Sequence, residues 1–323
     1  MRCEMNRREF LKSGFAAGGL VATGSLPLCA EDNPALFPSR GVFERLELSY
    51  QHIHIGLPRP FSVLHISDTH LTEAYPDETP WRDFCEKRRR TFGGCQQSAL
   101  AVSLAWAKEN VDYVLHTGDL VDFPTKANLD LVARYSGGGE NRLGCTGNHE
   151  YQREPFERGI SPTADYNARS RADLDRSFVR DTLFASRVVD GVNFITLDQA
   201  YGTVTRRQTE LFEAEVAKGL PIILCMHVPF HTDHIWLASE RYWAFRGKKF
   251  RIEGVPPARG DLARQRDDAV TRDFIARLKE ERLLKGILCG HLHIDVQDRF
   301  SPTAMQYVVG GNFMYHGEEI LFT

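Results

Sequence analysis

The chain has 323 residues, of which 42% are hydrophobic and 26% charged, and its formal net charge is −3. These values describe an ordinary folded protein. No internal run nears the roughly 20 apolar residues of a membrane span, and the small net charge excludes a general affinity for nucleic acid or anionic lipid, so any pull on an anion must be local.

The first 30 residues read apart from the rest. Asn6-Arg7-Arg8-Glu9-Phe10-Leu11-Lys12 precedes the small apolar stretch GFAAGGLVATGSLPL, and Leu28-Cys29-Ala30 stands ahead of acidic Glu31. The pattern resembles a twin-arginine export signal cleaved after Ala30, because so glycine-rich a stretch is a poor helix former outside a signal. The resemblance implies delivery, already folded, by the twin-arginine export machinery to the periplasm or the outside of the cell. Cys29 follows a leucine, which fits a lipoprotein box poorly. Residues 1–30 are thus expected to be a signal peptide, 31–41 a proline-rich linker and 42–323 one domain. The remaining length, roughly 290 residues, suits one large domain with insertions.

From Phe43 to Leu48 apolar and charged residues alternate, predicting a half-buried strand, and Phe61 to Ile66 predicts a more buried one. Residues 72–94, rich in proline, glycine and charge, are expected to form a loop that shapes a pocket. Alanines and leucines around Trp106 predict a helix from Cys95 to Glu109, stopped at Asn110, with a strand from Val111 to His116 completing a β-α-β unit. Lys126 to Tyr135 predicts another helix, and Ser136-Gly137-Gly138-Gly139 leaves the strand after it short. Residues 151–169 are expected to be loop, Arg171 to Phe184 helix, and Asp190-Gly191 the turn of a hairpin. Thr205 and Gln208 form a capping box for a helix with the buried stripe Leu211, Phe212 and Val216, closed by Gly219. A strand from Pro221 to Met226 follows. The phrase recurs with Val270, Phe274 and Leu278 on a helix and a strand from Gly286 to Cys289, before two β-runs, Ile294 to Phe300 and Ala304 to Val309. Alternating strands and helices followed by consecutive strands argue for an α/β layered domain with two packed sheets.

Several of these apolar runs end in polar tips. Asp68-Thr69-His70 follows FSVLHIS, Gly118-Asp119 follows VDYVLHT, Gly147-Asn148-His149-Glu150 follows the short strand, His227 follows PIILCM, and Gly290-His291-Leu292-His293 follows GILC. Asp68, His70, Asp119, Asn148, His227, His291 and His293 make a mixed oxygen and nitrogen set large enough for two divalent cations. In an extended chain residues i and i+2 face one side, so Asp68 with His70, and His291 with His293, are each expected to present two donors to one cavity. A single histidine is most often structural. Seven coordinated positions reverse that expectation.

The blocks D-x-H, G-D, G-N-H-E, H and G-H-x-H, in this order from Asp68 to His293, resemble the calcineurin-like metallophosphoesterase superfamily. The resemblance implies a four-layer αββα sandwich of two mixed sheets flanked by helices, with metals at the strand ends. It also implies that Asp68, His70 and His293 hold one metal, that Asn148, His227 and His291 hold the other, and that Asp119 bridges them. Two carboxylates against two divalent ions leave a site about two units positive, suited to an anionic phosphate ester. Nitrogen-rich ligation favours Mn, Fe or Zn over Ca or Mg. The implied reaction is in-line attack on phosphorus by hydroxide held between the metals. By resemblance His149 is the catalytic acid that protonates the leaving group, and Asp122 the acidic residue that orients it.

Departures from the family narrow the subclass. Phe123 stands where protein phosphatases of the superfamily carry a phosphate-clamping arginine, and Asp122 where purple acid phosphatases carry a metal-binding tyrosine. The G-N-H-E and G-H-x-H blocks also resemble class III cyclic-nucleotide phosphodiesterases, so mono- and diesterase readings both stand. A periplasmic binding protein that keeps the pocket without turnover is a third, which the presence of His149 opposes.

Residues 231–268 form an insertion with Trp236, Tyr242, Trp243 and Phe245 near Arg246, Lys248 and Lys249. These aromatics either pack on their own domain or, beside the cations, clamp a phosphorylated ligand as a specificity lid. His231 and His234 are expected at the rim, and His52, His54 and His65 to be structural. Of the seven cysteines, Cys3 and Cys29 fall in the leader and five remain. Cys225 and Cys289 read as buried and inert, while Cys85 and Cys95 are candidates for a disulfide in an oxidising compartment.

Overall fold

The structure, a computed structural model, describes residues 46–153, 164–178, 180–245 and 268–323. The expected signal 1–30, the linker 31–41 and the insertion from 246 to 267 lie outside the described residues. In chain order the strands are β1 (Glu47–Ile53), β2 (Phe61–Ile66), β3 (Tyr113–Thr117), β4 (Arg142–Cys145), β5 (Phe184–Val189), β6 (Val192–Leu197), β7 (Ile222–Cys225), β8 (Leu284–Cys289), β9 (Val296–Arg299), β10 (Met305–Val308) and β11 (His316–Phe322). The helices are α1 (Thr79–Thr91), α2 (Gln96–Asn110), α3 (Lys126–Ser136), α4 (Ala164–Leu174), α5 (Arg206–Val216), α6 (Asp233–Phe245) and α7 (Ala269–Glu280).

Two mixed sheets result, one ordered β1-β11-β2-β3-β4 and the other β5-β6-β7-β8-β10-β9. They face each other across a core that joins Phe61, Val63, Leu115, Ile320 and Phe322 of the first to Phe194, Ile223, Cys225, Leu288 and Tyr307 of the second. Strand periodicity explains the other faces. In β2, Leu64 and Ile66 point away from that core to meet Trp106 and Ala107 of α2, and Ile222 and Leu224 of β7 meet Phe212 of α5 and Phe274 and Leu278 of α7. The expected four layers are present.

Within the first sheet β2, β3 and β4 run parallel, and within the second β6, β7 and β8 do. Parallel neighbours end on the same side, so the loops after β2, β3 and β4 gather at one edge and those after β7 and β8 at another. Local signals place several elements as expected. Thr205 and Gln208 complete the capping box of α5, and Asp190 and Gly191, with φ of 47° and 88°, make the hairpin turn between β5 and β6.

Four expectations are corrected. Of the strand expected from Phe43 to Leu48, residues 43–45 lie outside the described residues; among the described residues the strand, β1, runs past Leu48 to Ile53, because pairing with β11 from Glu47↔His316 to Ile53↔Phe322 sets its extent. Residues 72–94 are not all loop. They contain α1, which docks through Glu78, whose carboxylate accepts the Lys126 and Ala127 N–H groups at the start of α3, and through Trp81 stacked 5.0 Å from Phe123. The helix expected from Arg171 to Phe184 is α4, which begins within the expected loop 151–169 and ends at Leu174, while Phe184 opens β5 opposite Leu197. Cys85 and Cys95 are free thiols, as are Cys145, Cys225 and Cys289.

Among the described residues no helix is long and apolar enough to cross a membrane.

Candidate metal centre

Five loops leave the carboxyl ends of β2, β3, β4, β7 and β8, and each delivers candidate ligands. Backbone shape at these tips is unusual. Of the seven non-glycine residues with positive φ among the described residues, five are Asp68, His70, Asp119, His291 and His293. Left-handed backbone costs a non-glycine residue on the order of 1 kcal/mol, and its concentration here marks a constrained functional site. It also corrects the strand-based expectation for Asp68 with His70 and for His291 with His293, none of which is extended. Hydrogen bonds between the loops after β2 and β3 hold the first pair instead: Asp68 N to Gly118 O at 3.0 Å, His70 N to Asp119 O at 2.9 Å and Asp122 N to Leu71 O at 2.9 Å.

The side chains converge. His293 Nε2 lies 3.2 Å from both Asp68 Oδ1 and His70 Nε2. Asp119 Oδ2 lies 3.0 Å from His227 Nε2 and 3.8 Å from His70 Nε2. Donor atoms of Asp68, His70 and His293 are close enough to share one cation, and so are those of Asp119, His227 and His291; a third such group joins His70, Asp119 and His149. Asn148 is buried in the turn whose next residue, His149, donates its N–H to Asp119 Oδ1 at 2.8 Å.

Burial tests whether a cation fits. Asp68 Oδ1, Asn148 Oδ1 and His227 Nε2 are buried without a well-formed hydrogen bond, a costly state that coordination would relieve. Burial alone would make the imidazoles less basic, yet Asp122 and Asp68 push His70 up to about 10, and Asp119 and Asp68 push His227 up to about 9. Burial likewise opposes ionisation of Asp68 and Asp119, and the surrounding histidines outweigh it, holding both carboxyls below the usual range. At His293 burial wins and holds the imidazole less basic than usual, whereas around His70 and His227 the carboxylates favour positive charge, whether supplied by protons or by metal. The donor set fits two cations.

Three glycines make the convergence possible. A Cβ on Gly118 would meet Gly147 N at 2.6 Å and His227 Nδ1 at 2.8 Å. One on Gly147 would collide with Asp119, and one on Gly290 with Ser67 Oγ and Asp68 Oδ2. Glu150, quoted in the G-N-H-E block without a role, supports the same turn. Its carboxylate accepts the N–H groups of Leu120 at 2.7 Å, Gly147 at 2.8 Å and Asp119 at 3.1 Å. Burial, with Asp119 adding, pushes this carboxyl up to about 7 against the pull of the amides.

Asp122 is fully buried; its Oδ1 lies 2.8 Å from His149 Nδ1 and 3.1 Å from His70 Nδ1, and its main-chain carbonyl also accepts from His149 Nδ1 at 3.1 Å. Burial would raise its carboxyl; Arg88 and His149 outweigh that and hold it well below the usual carboxylate range. Arg88 was not legible as a site residue, because its partner lies 34 positions away and nothing local marks it. Phe92 was missed as well; its ring stacks 4.2 Å from that of His70. From α6, Trp243 approaches His293 at 6.3 Å between ring centroids, bringing one aromatic of the insertion to the rim. His231 lies 3.4 Å from Asp233, and Phe123 is buried against Trp81 and Phe84. His65 is a structural residue between Glu318 at 3.1 Å and Thr117 at 2.9 Å, and His52 and His54 bond to Thr323 Oγ1.

Facing sheets that bring carboxylates and imidazoles from five strand ends to one buried point define a metal-dependent phosphoric ester hydrolase. The calcineurin-like phosphoesterase family matches residues 61–295, and the chain belongs to it. Among solved structures, a dimetal phosphatase from Danio rerio is similar over 79% of this chain and 88% of its own, with 13% identity and a TM-score of 0.44. A purple acid phosphatase from yellow lupin (Lupinus luteus) seeds is similar over 80% of this chain and 46% of its own, with 12% identity and a TM-score of 0.45. The calcineurin-like phosphoesterase YfkN from Bacillus subtilis is similar over 79% and 82%, with 12% identity and a TM-score of 0.37. This chain therefore spans under half the length of the lupin chain. No curated protein matches the sequence.

Proposed function

We propose that the protein is an exported phosphoesterase that cleaves phosphate mono- or diesters with two cations of the Mn, Fe or Zn type. The observation that carries this reading is the place of Asp119, whose Oδ2 approaches both His227 Nε2, at 3.0 Å, and His70 Nε2, at 3.8 Å, so that one carboxylate belongs to ligand groups on either side. In this reading Asp68, His70 and His293 hold one cation, Asn148, His227 and His291 the other, and Asp119 bridges them. When bound, the cations would supply activation of water near neutral pH and neutralise charge developing on the phosphoryl oxygens.

The remaining work falls to the chain. His149 is assigned to proton transfer because its Nδ1 is engaged by the carbonyl and carboxylate of Asp122, which leaves Nε2 for the substrate. Protonated at both nitrogens, it gives the Nε2 proton to the departing oxygen and ends as the Nδ1–H tautomer, still bonded to Asp122. Phe92 and Phe313, packed 4.2 and 5.9 Å from the His70 ring, keep water from that flank. Arg7 and Arg8 ahead of a small apolar stretch support delivery through the twin-arginine machinery to the periplasm or beyond.

The test is a panel of chromogenic mono- and diesters offered to the metal-loaded protein. Hydrolysis of at least one, abolished by chelation, is expected. Bound metal with no hydrolysis of any ester would reject the reading in favour of a ligand-binding protein.

A further inference from the structure

Helix α1 lies further along the connection that leaves β2, beyond Asp68 and His70. Its Arg88 grips both oxygens of Asp122, with Nε 2.5 Å from Oδ2 and Nη2 2.8 Å from Oδ1. Oδ1 is the same atom that faces His149 Nδ1 and His70 Nδ1. The guanidinium carbon also lies 4.9 Å from the ring centre of Phe92, which stacks in turn on His70 at 4.2 Å with the planes 13° apart. One arginine is thus packed against both the carboxylate and the ring that position these two histidines.

We propose that Arg88 is a positioning residue for phosphate-ester cleavage: its guanidinium fixes the plane of the Asp122 carboxylate, and through it the orientation of His149 and His70. The inference rests on the reading of His149 as leaving-group acid. Two imidazoles on one oxygen leave the carboxylate free to turn about its side-chain bonds, since neither holds Oδ2. A planar guanidinium bonded to both oxygens removes that freedom. An arginine stays charged throughout, so the buried carboxylate it grips stays compensated. Lysine would supply the charge without the fork. Arg88 spends two of its nitrogens on Asp122.

The test compares Arg88→Ala and Arg88→Lys with the wild type, all saturated with zinc, on an alkyl and a nitrophenyl phosphate ester. Losing a residue that orients an active-site group typically costs 10–100-fold, so kcat for the alkyl ester is expected to fall by roughly that factor in both variants, with KM little changed and the nitrophenyl ester partly spared. In a His149→Ala background Arg88→Ala should cost clearly less than it costs alone, because the share of its effect that runs through His149 is already lost. A raised KM at constant kcat, full recovery with lysine, or a full additional loss in the His149→Ala background would each overturn the proposal. Nitrogen-15 NMR of the zinc-loaded protein gives a readout independent of turnover. The Nδ1 protons of His149 and His70 should exchange with water at least about tenfold faster in Arg88→Lys than in the wild type. Unchanged exchange would overturn the positioning role even in a protein that hydrolyses no ester, whereas faster exchange in such a protein would uphold the positioning and sink the assigned reaction. Arg88→Lys retains the charge against Asp122 and so carries the test should Arg88→Ala fail to fold.

Discussion

The Nδ1–H of His227 donates to the main-chain carbonyl of Thr117 at 2.7 Å. Thr117 closes β3 in one sheet and His227 follows β7 in the other, so this bond crosses the sandwich at the site and leaves Nε2 to face Asp119. Fixing one ring nitrogen selects the tautomer in which the other can bind a cation. His227→Ala is therefore expected to lower bound metal by about one equivalent, while His231→Ala, whose ring pairs with Asp233 instead, keeps the full complement. Elemental analysis of the purified variants checks this. Equal metal in wild type and His227→Ala would remove His227 from the ligand set.

Gly290 tests the closeness of the backbone to Asp68. Its N–H donates to the main-chain carbonyl of His227 at 2.9 Å, and a Cβ there would overlap Asp68 Oδ2 and Ser67 Oγ, buried groups with no room to withdraw. Overpacking of this kind costs about 1–3 kcal/mol. Gly290→Ala should thus unfold at lower denaturant and bind less metal. Gly56→Ala, which meets nothing within 4 Å, should lose stability to backbone strain alone and keep its metal. Metal content unaffected by Gly290→Ala would show that Asp68 need not sit where it does.

Much of the candidate site was legible because its chemistry sits at strand ends, where apolar runs give way to Asp, His and glycine. The capping box of α5 and the Asp190-Gly191 turn were legible for the same local reason. What sequence could not show was set by partners distant in the chain. Helix α1 buries only Cys85 along its own length, so it lacks the apolar stripe that identifies a helix, and Glu78, Trp81 and Phe84 dock it against α3 and Phe123. Arg88 then meets Asp122 across 34 residues. The pairing of Asp68 with His70 was foreseen for the wrong reason, since left-handed backbone and cross-loop hydrogen bonds, not strand alternation, set their directions.

Export is tested by Arg7→Lys combined with Arg8→Lys. The double variant should accumulate folded precursor in the cytoplasm, read by fractionation and immunoblotting. Undiminished delivery to the periplasm would reject the twin-arginine route.

His149 separates proton transfer from metal binding. On the proposed reading Nδ1 is held by Asp122 and the ring holds no metal, so His149→Ala should keep both cations while slowing turnover by roughly 10²- to 10⁴-fold. The loss must grow with the pKa of the leaving group, because an alkoxide departs badly without a proton and nitrophenolate does not need one. A variant that loses metal would instead place His149 with His70 and Asp119 in the third donor group.

The central claim is that cations joined through Asp119 enable hydrolysis, and the most direct measurement follows phosphate release as metal is added back to the metal-free protein, with wild type and Asp119→Asn side by side. The account predicts that wild-type activity rises until about two equivalents are bound, and that Asp119→Asn, folded by circular dichroism, neither holds the pair nor turns over. Full turnover in the metal-free protein, or two cations held as tightly by Asp119→Asn as by the wild type, would contradict it.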